Sequence, residues 1–127
     1  HLLNNILGGP GLNSRLNMTL REKNGYSYQT ESHYSPYSDT GVLNVYFTCD
    51  KNKLNKCRDM ISREFLKLRN QRLGTLQLLK AKKQLMGQVA ISAENHESLM
   101  LSMAKSYMIF NKFESLEEIK NKILTII

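Results

Sequence analysis

The feature that most constrains this 127-residue chain is a change of hydrophobic period inside one short stretch, Ser14 to Tyr28. Leu16 and Leu20 lie four apart and share one face of a helix, and Arg21, Glu22 and Lys23 make its last turn polar. Gly25 supplies the left-handed residue that commonly ends such a helix. After it the pattern alternates, with Tyr26, Tyr28 and Thr30 on one side and Ser27, Gln29 and Glu31 on the other. The chain must therefore combine helix and strand. The junction also holds a guanidinium at a helix end and a phenol at a strand start, Arg21 and Tyr28, seven residues apart. Two polar groups so placed can converge on one oxygen of a bound ligand.

The same reading extends to both ends. Residues 1–7 form the end of a helix, Gly8-Gly9-Pro10-Gly11 a turn, and residues 12–24 a second helix. Two strands follow, at about 26–34 and 41–49. In the second, Leu43, Val45, Phe47 and Cys49 share a face. Asp50 is positioned to cap the next helix, about 51–70, through its carboxylate. Leu54, Cys57, Ile61, Phe65 and Leu68 recur at threes and fours and mark its apolar face. Leu78, Ala81, Leu85 and Val89 define another helix after Gly74-Thr75, and Leu99, Met103, Tyr107 and Phe110 one from about 95 to 110. Ser115 with Glu118 three later is a capping-box signature for a last helix. The fold class is α+β, an antiparallel-containing sheet backed by helices on one face. A lone hairpin buries too little surface to be stable, so a complete domain must add strands.

Composition is that of an ordinary globular protein, 41% apolar and 23% charged. No apolar run approaches the ~20 residues of a membrane span. The chain opens on His1 inside an apolar segment and ends in the apolar run Lys122 to Ile127 without a C-cap. It reads as a single incomplete domain, residues 1–127, cut from a longer chain at both ends. The net charge of +7 is spread over the helices after residue 12, with denser groups at Lys51 to Arg58, Arg63 to Arg72 and Lys80 to Lys83. Solvated helix faces account for it better than a nucleic-acid surface, which gathers cations with aromatics on one side. Cys49 and Cys57 have neither redox-motif nor metal spacing and read as free buried thiols, with a disulfide as the alternative. Met86, Met100, Met103 and Met108 lie in phase with Leu and Tyr and are expected in a core.

Leu7-Gly8-Gly9, Ser14-Arg15-Leu16 and Arg21-Glu22-Lys23-Asn24-Gly25-Tyr26-Ser27-Tyr28 resemble the second-domain signature of the pitrilysin/insulinase peptidases, which include the mitochondrial processing peptidases. The family prefers Leu and Ala where this chain has Tyr26 and Ser27. A second match follows about fifty residues on, where Gln77-Leu78-Leu79-Lys80-Ala81-Lys82-Lys83-Gln84-Leu85 is similar to the family's Glu-Leu-x-x-Ala-Lys-x-x-Leu. The resemblance implies a processing-peptidase-like half-domain. It also implies that Arg21 and Tyr28 bind the peptide backbone and help stabilise the oxyanion formed at a zinc site across a closed chamber.

The chain's own residues offer no catalytic group. His1, His33 and His96 are far apart, and none begins a His-x-x-Glu-His or His-Glu-x-x-His pattern. His96 is placed as the start of a helix. Gly8-Gly9-Pro10-Gly11 is too short and too Pro-bound to cradle phosphate. Catalytic and metal-ligating residues are therefore expected to be none, with Arg21 and Tyr28 as the substrate-binding pair. No cofactor is expected here, zinc lying in the catalytic domain of the parent. The resemblance implies a non-catalytic, substrate-contacting domain of a zinc-dependent metalloendopeptidase that closes over the zinc site of a partner domain. Its partners would be the zinc-bearing domain of the same or another chain and a peptide or unfolded polypeptide, with no nucleic acid and no membrane span. The alternative is a structural or interaction subunit on the same fold that has lost catalysis.

Overall fold

The computed structural model describes residues 1–126, and Ile127, the last residue of the expected apolar tail, lies outside them. The chain divides into two compact units, His1–Gly74 and Thr75–Ile127.

The first unit opens with α1, Leu2–Gly8. Its last turn is clamped on the sheet: a Cβ on Gly8 would lie 2.8 Å from Ser32 Oγ and 2.9 Å from Ser32 N, so only glycine fits. Residues 15 and 16 then lead into a π-helix, Asn17–Glu22. Lys23 N donates to Met18 O at 3.0 Å, five residues back rather than four. Gly25 closes the helix at φ 60°, the left-handed conformation expected of it. Around it Gly25 N donates to Arg21 O (2.8 Å) and Tyr26 N to Leu20 O (2.9 Å). Each loop spans one residue more than in the usual Schellman closure.

Strands β1, Ser27–Pro36, and β2, Gly41–Cys49, form a two-stranded antiparallel sheet turned at residues 37–40. The register runs Ser27↔Cys49, then Thr30↔Phe47 through Pro36↔Gly41, with a bulge between Ser27 and Thr30. The bulge overturns the expected alternation. Ser27, Thr30 and Ser32 are buried, whereas Tyr28 and Gln29 both face outward. Tyr28 and Thr30 therefore do not share a face, nor does Tyr26 pair with Tyr28. Ser27 Oγ fixes the irregularity, bonding Thr30 Oγ1 (2.9 Å) and donating to Gln29 O (2.8 Å), while the Gln29 N–H finds Thr48 Oγ1 at 3.2 Å.

A 3-10 turn, Lys51–Lys53, leads into α2, Leu54–Asn70. Asp50 does not cap it with its carboxylate, as the sequence suggested. The first turn closes on the backbone instead, Lys53 N to Asp50 O at 2.9 Å, leaving the side chain in water. The inward face of α2 is also displaced from expectation. Cys57, Ile61 and Glu64 are buried and Leu68 packs on the core, while Leu54 and Phe65 are exposed. Leu7, Leu16, Leu20, Cys57 and Ile61 form that core, with Tyr26, Val45, Phe47 and Cys49 against it. Each fully buried leucine contributes about 1.5–3 kcal/mol. Helices thus back one face of the hairpin, an α+β arrangement.

The second unit holds α3, Thr75–Glu94, α4, His96–Phe110, and α5, Leu116–Thr125. Asn95 caps α4 through Ser98 N, and Ser115 with Glu118 makes both bonds of the expected capping box. The face Leu78, Ala81, Leu85 and Val89 is half-buried. The methionine expectation fails on α4, where Met100, Met103 and Met108 are exposed and only Met86, on α3, is half-buried. Apolar residues take up more than half of the circumference of α4, opposite Ser98, Ser102, Lys105 and Ser106, and none of them is buried.

Candidate substrate-binding cleft

Arg21 occupies the last turn of the π-helix because the apolar stripe Leu16–Leu20 is anchored at zero exposure beneath it. Tyr28 follows the Gly25 reversal and is held outward by the bulge, 81% exposed. Both line one cleft of about 550 Å³ within the first unit. Its walls are Asn4 and Gly8 of α1, the turn Gly9-Pro10, Leu12, Asn17, and β1 from Tyr28 to His33. The two residues singled out from sequence therefore open onto the same space.

The polar groups in that space differ in how far they are already engaged. Asn17 Nδ2 donates to Ser14 Oγ at 3.0 Å, and Ser32 Oγ donates to Asn4 O at 3.1 Å. Arg21 Nε meets Glu22 Oε1 only at 3.7 Å, with both side chains about half exposed. Such a pair contributes little and leaves the guanidinium available. Tyr28 offers a neutral O–H donor to solvent.

Sequence reasoning missed a polar ladder on the outward face of β1. Gln29 Nε2 donates to Glu31 Oε1 at 2.6 Å, and His33 Nε2 lies 3.1 Å from Glu31 Oε2. The Gln29 hydrogen bond, then that of His33, holds the Glu31 carboxyl below its ordinary value. The signal was present as Gln-x-Glu-x-His, polar residues at the strand period of two. Glu31 supplies the single carboxylate of the cleft and Arg21 its permanent cation.

The histidines do not come together. His1 packs edge-on against Tyr34 at 5.3 Å, His33 belongs to the ladder, and His96 begins α4 beside an apolar recess of about 450 Å³ in the second unit. No group of three or more His, Cys, Asp or Glu able to hold a metal occurs among the described residues. The donor set does not fit zinc. Tyr26 is packing, half-buried against the core with Lys53 Nζ 5.0 Å from its ring centre. No helix among the described residues is long and apolar enough to cross a membrane.

Comparison with known proteins bears on this geometry. Residues 1–85 match the family described as Peptidase M16 inactive domain. A zinc protease of Bacillus subtilis is 31% identical over 122 residues, 96% of this chain and 30% of that protein. The mitochondrial-processing peptidase subunit alpha of Rattus norvegicus is 29% identical over 90 residues, 69% of this chain and 17% of the subunit. Among solved structures, a protease from Helicobacter pylori superposes with a TM-score of 0.82 at 20% identity, over 99% of this chain and 30% of its own. A peptidase M16 inactive domain from Pseudomonas fluorescens gives 0.65 at 21% identity, over 99% of this chain and 33% of its own. These two share the fold. The chain spans about 30% of the length of the first curated relatives it matches.

Proposed function

The chain belongs to the peptidase M16 inactive-domain family, and on that premise we propose that it is the substrate-contacting part of the non-catalytic second domain of a zinc-dependent endopeptidase. Residues 1–127 are then a portion of the C-terminal domain of a longer parent, whose metal-bearing partner domain it closes over. The substrate is a peptide or unfolded polypeptide held between the two.

One observation supports this reading above the others: Arg21 and Tyr28, from different elements, line the same cleft. Arginine is charged at any working pH and can donate from a planar fork, while tyrosine donates without adding charge. A scissile carbonyl gains negative charge on its oxygen as it becomes tetrahedral. Donors already aimed at that oxygen in a site closed to water lower the barrier by about 3–4 kcal/mol each. The reaction itself belongs to the partner domain. This chain's residues bind and orient the carbonyl.

Tyr28→Phe and Arg21→Ala in the full-length parent test the assignment. Peptide turnover should fall by about a hundredfold or more in each, with zinc content unchanged. The exposed ring of Tyr28 keeps folding stability within about 0.5 kcal/mol of wild type. Equal turnover in wild type and both variants would defeat the role.

A further inference from the structure

Cys49 ends β2 and Cys57 lies in the second turn of α2, both unbridged. Cys57 is fully buried in the core cluster, and Cys49 packs against that cluster from the sheet. Cys49 thus packs on the same cluster that holds Cys57. Seven residues, Asp50 to Lys56, connect them, through the 3-10 turn and the start of the helix. Cys49 is also the register partner of Ser27, the residue before Tyr28. The thiol pair therefore touches the core on one side and the bulge that presents Tyr28 on the other.

We propose that Cys49 and Cys57 are a reversible oxidation site, forming an intrachain disulfide that ties the end of β2 to α2 directly behind the Tyr28 bulge. The two thiols are not equivalent. Cys49 is half-buried and meets solvent, whereas burial, followed by the Cys49 thiol, pushes the Cys57 thiol up. Cys49 is thus the first nucleophile and Cys57 the resolving thiol. With a small-molecule disulfide such as oxidised glutathione, Cys49 loses its proton and its thiolate attacks one glutathione sulfur. The glutathione S–S bond breaks, and one glutathione thiolate leaves. Cys57 then gives up its proton and attacks the Cys49 sulfur, expelling the second glutathione. Two protein thiols become one disulfide, and oxidised glutathione becomes two thiols that carry the two protons. Bridging demands disulfide stereochemistry between two side chains that share one core cluster.

The link to Tyr28 as a substrate contact rests on the function proposed above; the oxidation chemistry does not. The test uses the full-length parent equilibrated in glutathione buffers of rising oxidising poise, quenched in acid and read by peptide mass spectrometry. The expected product is one peptide set bridged between Cys49 and Cys57, lighter by two hydrogens and restored by reductant. Hydrogen exchange across residues 26–30 should slow in the oxidised form. In Cys57→Ala the reaction should stop at a stable glutathione adduct on Cys49. In Cys49→Ala the native protein should leave Cys57 unmodified. Persistence of two free thiols, a lasting adduct at Cys49 in wild type, or bridging only between molecules would each overturn the oxidation site. That wild-type measurement stands even if a variant misfolds. Bridging without any change in exchange across 26–30 would overturn the coupling to Tyr28. Loss of the Arg21 and Tyr28 effects on turnover would remove the function alone and leave the disulfide standing.

Discussion

Replacing Glu64 by alanine should loosen the helix that carries Arg21, although the two residues belong to different elements. Glu64 is 6% exposed on α2. One carboxylate oxygen lies 3.6 Å from Arg15 Nη1 and the other 2.7 Å from Lys67 Nζ. Breaking a buried ion pair by deleting one partner costs about 3–5 kcal/mol, because the remaining charge stays in a poorly solvated place. Arg15 and Lys67 keep 22% and 53% of their side chains exposed, so water recovers part of that loss. About 2–3 kcal/mol remains. Lys67 is the better solvated, so most of the penalty falls on Arg15, the residue before fully buried Leu16. Glu64→Gln keeps an acceptor without the charge and should cost about 1 kcal/mol. Hydrogen exchange of the full-length protein reads this locally, at the amides of residues 18–23. A loss of 2–3 kcal/mol corresponds to exchange roughly 30- to 150-fold faster. Exchange in Glu64→Ala within about twofold of wild type, the range of an inconsequential surface change, would refute the reasoning.

Two glycine substitutions should separate steric from conformational cost. In Gly9→Ala the added Cβ would stand 2.2 Å from Asn5 Oδ1 and 2.8 Å from Asn5 backbone atoms, so the turn must shift, at about 1–3 kcal/mol. Gly25→Ala meets open space but a φ of +60°, and should cost about 1–2 kcal/mol in urea unfolding. Ser115→Ala removes the capping box of α5 and should weaken that helix by about 1 kcal/mol, visible as faster exchange from Glu118 onward. The Ser115 backbone hydrogen bond, then Lys112, holds the Glu118 carboxyl below its ordinary 4.5. A depressed acid stabilises the fold above its unfolded value and stops doing so as pH falls through the folded one. Protection of α5 should therefore decline in acid below 4.5 and hold on the alkaline side.

Local order was readable wherever a residue acts through its own backbone. Gly25 had to be left-handed, Ser115 and Glu118 had to cap, and the helix–strand switch at residues 14–28 fixed the order of elements. What misled was phase. Alternation assumes an unbroken ladder, and the Ser27–Thr30 bulge inserts a step that depends on Thr48 from the other strand. Helical periodicity likewise picked Leu54 and Phe65 for the core, where tertiary packing chose Glu64, whose partner Arg15 is 49 positions away in the sequence and invisible to any local window. Arg21 and Tyr28 could be singled out from residue type and spacing, but their common cleft depends on α1 and the Gly8–Ser32 contact.

The wide turn at Asn17–Glu22 makes residue count a variable of the site. Every position along a helix rotates the chain by about 100° and advances it about 1.5 Å. Deleting one residue between Leu16 and Arg21, with the wide winding kept, would swing the guanidinium through nearly that angle, away from the groove it now borders. Two chains with the same arginine and the same tyrosine, differing by a single insertion, would then aim differently. Judged this way, the interval between the two side chains must be matched as strictly as their identities.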